Sequence, residues 1–130
     1  MSTGAVCAVQ PSIRTYSERM TFAAWTCAAV TLISAGVSAG FAFAGLRGST
    51  GAARTASKYG LARSLALLIT AIAALVIARP AFIVAITLAM ILVQAFDTVV
   101  GATIRDRMKT YGPAGLAVAH AAALAWMLVS

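Results

Sequence analysis

Arg63, Gln94, Asp97 and His120 are the side chains of this sequence that can hold or move protons inside otherwise apolar segments. Gln94 and Asp97 stand in "ILVQAFDTVVG" (91–101), where an acid is expensive to keep. A histidine and a carboxylate in a low-dielectric pocket shift each other's proton affinities, which suits general acid–base chemistry by Asp97 and His120. Arg63 supplies a fixed cation and Ser64 a hydroxyl beside it. Other chemistries lack their motifs. There is no phosphate-cradling glycine loop, no HExxH and no GxSxG. Cys7 and Cys27 lie twenty residues apart with no CxxC or metal-ligand spacing. Cys27 is expected to pack as a small hydrophobe. The expected site therefore uses neither metal nor cofactor.

The elements that must position these residues are membrane helices. Of 130 residues, 62% are hydrophobic and 10% charged, against roughly 25% charged in an average soluble chain. The net charge of +7 would suggest nucleic acid in a soluble protein. Here the cations flank apolar runs, as membrane flanks do, and no aromatic platform accompanies them, so nucleic acid is not an expected partner. After an N-terminal tail (1–20), the 21–130 region divides into four apolar segments at about 21–46, 60–78, 81–103 and 113–129. Each is near the roughly 20 residues a helix needs to cross hydrocarbon, and only helices satisfy their own backbone there. The reading is an all-α, four-helix antiparallel transmembrane bundle.

"GSTGAARTASK" (48–58) reads as a solvated loop, and "IRDRMKTYGP" (104–113) as a link with a stop and restart at Gly112-Pro113. Pro80 should hold Arg79 extended and open the third helix, closing a tight hairpin with the second. The first segment exceeds the 7–15 residues of a signal-peptide core, so a retained helix is expected, and no lipidation motif stands out. Arg47, Arg54, Lys58, Arg105, Arg107 and Lys109 fall on one side; Arg14, Arg19 and Arg79 fall on the other. The positive-inside tendency places the six in the cytoplasm and both termini outside a cell membrane.

Arg63 lies seventeen positions before Pro80 and Asp97 seventeen after. An antiparallel hairpin brings both to about 25 Å from its turn. An ion pair is expected there, with Gln94 and Asp97 on one face (i, i+3) that Met90 and Gly101 extend. His120, seven residues after Pro113, should reach the same cytoplasmic half. Arg63, Ser64, Gln94, Asp97 and His120 are thus the candidate binding residues, and breaking a desolvated pair should cost roughly 3–5 kcal/mol. Plainer roles compete for each: Asp97 at the interface with Arg63 or Arg105, Arg63 reaching lipid phosphate, His120 bonded to a neighbouring carbonyl, and Gln94 as interhelical glue. Gly36 and Gly40 in "GVSAG" form a GxxxG pair for close helix packing, within the bundle or in a dimer.

From "GLARSLAL" (60–67) through "QAFDTVVG" (94–101) to "AHAAAL" (119–124) the chain resembles small DoxX-like four-helix membrane proteins, in a branch of undefined function. The resemblance implies a four-helix fold and singles out Arg63, Asp97 and His120. Ser64 departs from its pattern, which often has an acid there. Three functions are compatible with these readings. The leading one is a small accessory or lipophilic-ligand-binding protein, serving a larger membrane complex or binding an apolar small molecule. The others are a membrane-embedded isomerase or cyclase using Asp97 and His120, and a small proton-coupled exporter working as a homodimer.

Overall fold

The computed structural model describes residues 20–130. The expectations for the tail (1–19), including those resting on Cys7, Arg14 and Arg19, lie outside the described residues. Four helices follow in order: α1 (Phe22–Gly48), α2 (Gly51–Ile77), α3 (Pro80–Thr103) and α4 (Arg107–Val129). All four are long and apolar enough to cross a membrane. The chain is an all-α, multi-pass membrane protein.

The helix ends follow from local chemistry. Thr21 Oγ1 accepts from the Ala24 amide and starts α1. Gly51 takes a positive φ of 58° at the start of α2, a conformation open to glycine. Ala78 ends α2 in the left-handed region, its amide donating to the Ala74 carbonyl. Arg79 is extended and Pro80 is the first residue of α3, as the sequence predicts. Asp106 caps α4 by accepting from the Met108 and Lys109 amides at 3.1 and 3.2 Å.

Two boundaries correct the sequence reading. Helix α2 begins at Gly51 rather than near Gly60, so most of the expected 48–58 loop is helical. Helix α4 begins at Arg107 and runs through Pro113. The reason is length. Twenty residues from the Arg79–Pro80 turn span about 30 Å and reach Tyr59 on α2. The polar turns 51–58 therefore exceed the length needed to cross the hydrocarbon, and helix beyond that length needs no apolar face. On the basic side Phe43, Tyr59 and Tyr111 are exposed near this level; Trp25 and Trp126 are exposed toward the other end, as interfacial aromatics are.

Packing is densest between α1 and α2 and between α3 and α4, so the short Arg79 link joins two hairpins more than it forms one. Small residues let α1 into the centre: Ala24, Cys27, Ala28 and Ala35 are buried against Ala71, Ala74, Ile83, Ile86 and Met90. Gly101 sets the α3–α4 approach. A Cβ there would fall on the Lys109 carbonyl and 2.8 Å from the Thr110 amide nitrogen. Pro113 has no N–H for that carbonyl, which leaves it facing the Gly101 Cα, a weak contact common at helix interfaces. Gly36 and Gly40 behave differently. Both are exposed on the outer face of α1, with nothing within 4 Å of a would-be Cβ, so they do not serve packing within the chain.

Candidate functional site

Helix α3 carries two polar regions one turn apart. Its inner face buries Ile83, Thr87, Met90, Gln94 and Gly101 at spacings of three, four and seven. Gln94 is 2% exposed and its Nε2 donates to Ser34 Oγ of α1 at 2.7 Å. Gln94 thus acts as interhelical glue, and its Oε1 has no hydrogen-bond partner. His120 of α4 is fully buried, and its Nδ1–H donates to the Leu116 carbonyl at 2.8 Å. That bond fixes the proton on Nδ1 in the neutral ring and leaves Nε2 an acceptor, also without a partner.

The two unmatched acceptors lie close in depth. The Gly101 contact aligns α3 and α4 so that residue numbers facing each other sum to about 210. His120 is then level with Met90 and Leu116 with Gln94. Helical side chains lean toward their own N-terminus. His120 leans toward the level of Gln94, and Gln94 toward that of Met90. Each buried unmet polar group costs about 1–3 kcal/mol.

Further toward the Arg79 end, a second buried polar group joins α1 to α3. Thr31 Oγ1 donates to the Cys27 carbonyl at 2.9 Å, so its single proton is committed. Thr87 must then donate to Thr31 Oγ1 at 3.2 Å, and the Cys27 thiol to Thr87 Oγ1 at 3.3 Å. Cys27 is therefore a hydrogen-bonding member of the core and not only a small hydrophobe. Sequence reasoning missed Thr31 and Thr87, although 27/31/34 and 87/90/94 repeat at helical spacing.

Asp97 turns away from this interior. Its Oδ2 accepts from Arg63 Nη2 at 2.9 Å, so the expected ion pair forms. The side chains are 33% and 49% exposed, however, which sets the pair at the lateral α2–α3 surface instead of in a closed pocket. Ser64 is buried on the inward side of α2. A shallow, open groove of about 490 Å³ runs along one face of α2 up to Arg63, lined by Ala56, Tyr59, Gly60 and Arg63. The five candidate residues thus separate into an interior set (Ser64, Gln94, His120) and a lateral pair (Arg63, Asp97). No group of three His, Cys, Asp or Glu residues converges to hold a metal among the described residues.

No protein-family model, curated protein or solved structure matches this chain.

Proposed function

We propose that this chain is a small membrane protein that binds a lipophilic molecule bearing a hydrogen-bond donor, received between α1, α3 and α4. The observation that carries this reading is the burial of two unmatched acceptors, Gln94 Oε1 and His120 Nε2, which the Gly101–Lys109 register brings to similar depth. A ligand hydroxyl or amine would satisfy both, while its apolar body would meet Met90 and the neighbouring aliphatic side chains. The acid–base enzyme and exporter readings need a free carboxylate beside His120. Asp97 is paired through Oδ2 with Arg63 at the lateral surface and turned away from the interior that holds His120, which favours binding over proton transfer. The DoxX-like resemblance supports the same fold and adds no activity.

The end carrying Arg47, Arg54, Lys58, Arg105, Arg107 and Lys109 is the cytoplasmic one in this proposal, and Arg79 faces the other side of the cell membrane. An accessory role is favoured by Gly36 and Gly40, which offer a closely approachable outer face on α1 to a second copy or a larger complex. Native mass spectrometry of the protein released from its own membrane tests both. A bound apolar molecule lost in Gln94→Leu/His120→Leu supports the binding reading, and its retention in that variant overturns it. An oligomer or complex broken by Gly36→Leu/Gly40→Leu supports the accessory role.

A further inference from the structure

The Arg63–Asp97 pair and the groove beside it form a lateral surface outside the buried interior. We infer that this surface seats the headgroup of an aminophospholipid, one with a phosphate and a primary ammonium, from the leaflet at the basic end. Three observations carry it, independently of the interior ligand proposed above.

The first is level. Counting about 30 Å of helix from the Arg79–Pro80 turn puts the expected hydrocarbon boundary at Tyr59, and Arg63 stands four residues, about 6 Å, inside it. An arginine side chain is long enough to span that distance, and its guanidinium is held beside Asp97 within reach of a headgroup drawn toward the pair. The second is unused bonding capacity. Arg63 has five N–H donors and gives one bond, from Nη2, to Asp97. Asp97 Oδ1 accepts none from the described residues, and the side chain is one-third exposed. The third is shape. Gly60 leaves open space where a side chain would stand, which makes a shallow groove along α2 from Ala56 past Tyr59 and Gly60 to Arg63.

An exposed cation and anion side by side present a dipole with no net charge. Its complement is a zwitterion of opposite sense: phosphate on Arg63, ammonium on Asp97 Oδ1. A choline headgroup has the charge but no N–H to donate. A glycerol headgroup has the phosphate but places no cation on Asp97. The expected order is therefore ethanolamine above choline and glycerol. The general basicity of this end would by itself favour the anionic glycerol lipid, so headgroup order separates a built seat from diffuse attraction.

The test is native mass spectrometry of the full chain in detergent, titrated with phosphatidylethanolamine, phosphatidylcholine and phosphatidylglycerol of identical acyl chains. The wild type should retain one ethanolamine lipid about tenfold better than the choline lipid, the worth of one charge-assisted hydrogen bond. Gly60→Leu should abolish that preference while folding normally, since the added side chain enters open space. Asp97→Asn should invert it in favour of the glycerol lipid, because Arg63 is then a net cation. Lys58→Gln, on roughly the opposite face of α2, should leave the order unchanged. Equal retention of the three lipids by the wild type overturns the proposal. So does an ethanolamine preference that survives Gly60→Leu, or one lost equally in Lys58→Gln.

Discussion

Gln94 and Asp97 are separated by one turn of α3 and live in different surroundings. The amide is sealed inside, bonded to Ser34 across the α1–α3 interface. The carboxylate sits at the lateral surface with Arg63, partly exposed. The contrast shows how this bundle distributes polarity. Neutral dipoles, whose desolvation costs a few kcal/mol at most, are taken into the interior. Full charges, whose desolvation costs several kcal/mol each, are kept where lipid headgroups and water still reach. Strong electrostatics therefore mark the rim, and weak polar groups mark the interior.

That division sets the order of mutational effects. The largest should come from Gly101→Leu, which forces a side chain onto the Lys109 backbone and separates α4 from α3. A loss of about 3 kcal/mol, at the upper end for overpacking, is expected in steric-trapping or thermal-unfolding measurements. Gln94→Ala should follow at about 2 kcal/mol, from the void and the stranded Ser34 hydroxyl. Gln94→Leu with Ser34→Ala should recover most of it, since both partners are then apolar. Full loss in that double variant would mean the amide does more than join two helices.

Arg63→Gln and Asp97→Asn should each cost about 1 kcal/mol or less, with the double variant below their sum. This replaces the 3–5 kcal/mol of a desolvated pair, because half of the arginine and a third of the aspartate remain accessible. Losses as large as those at Gln94 would erase the distinction between rim and interior. The smallest effect concerns pH. Asp106, at the cap of α4, has its carboxyl pKa lowered first by the Lys109 amide hydrogen bond, with the Lys109 ammonium and Met108 amide adding to it. A lowered folded-state pKa contributes stability that is present above the ordinary carboxylate range and is lost as pH falls through the folded value. Thermal melts should therefore decline mildly on acidification, and Asp106→Asn should flatten that decline.

The Arg63–Asp97 pair was legible in the sequence because depth depends on counting from Pro80, which needs no knowledge of helix faces. Which face each residue presents was harder to read. Core and lipid are both apolar, so apolar periodicity does not distinguish inside from outside in a bundle of this kind. Asp97 consequently reads as a pocket residue when it is a lateral one, and Thr31 and Thr87 pass unnoticed. The same ambiguity separates the glycines: Gly101 meets a backbone while Gly36 and Gly40 meet open space. The polar turns 51–58 and 107–112 read as loops because helix outside the hydrocarbon carries loop-like composition. Asp106 ahead of "RMK" was the available signal for the earlier start of α4.

His120 is the only histidine in the chain, so selective ¹⁵N labelling of histidine reports on the interior site alone. At neutral pH its spectrum should show a neutral ring with the proton on Nδ1 and an unprotonated Nε2. The Nε2 signal should shift when a lipophilic hydrogen-bond donor is extracted from the native membrane and added back, and Gln94→Leu should weaken that response. A protonated Nε2, whether in the other neutral tautomer or in an imidazolium, would make the site a donor and contradict the binding chemistry proposed for it.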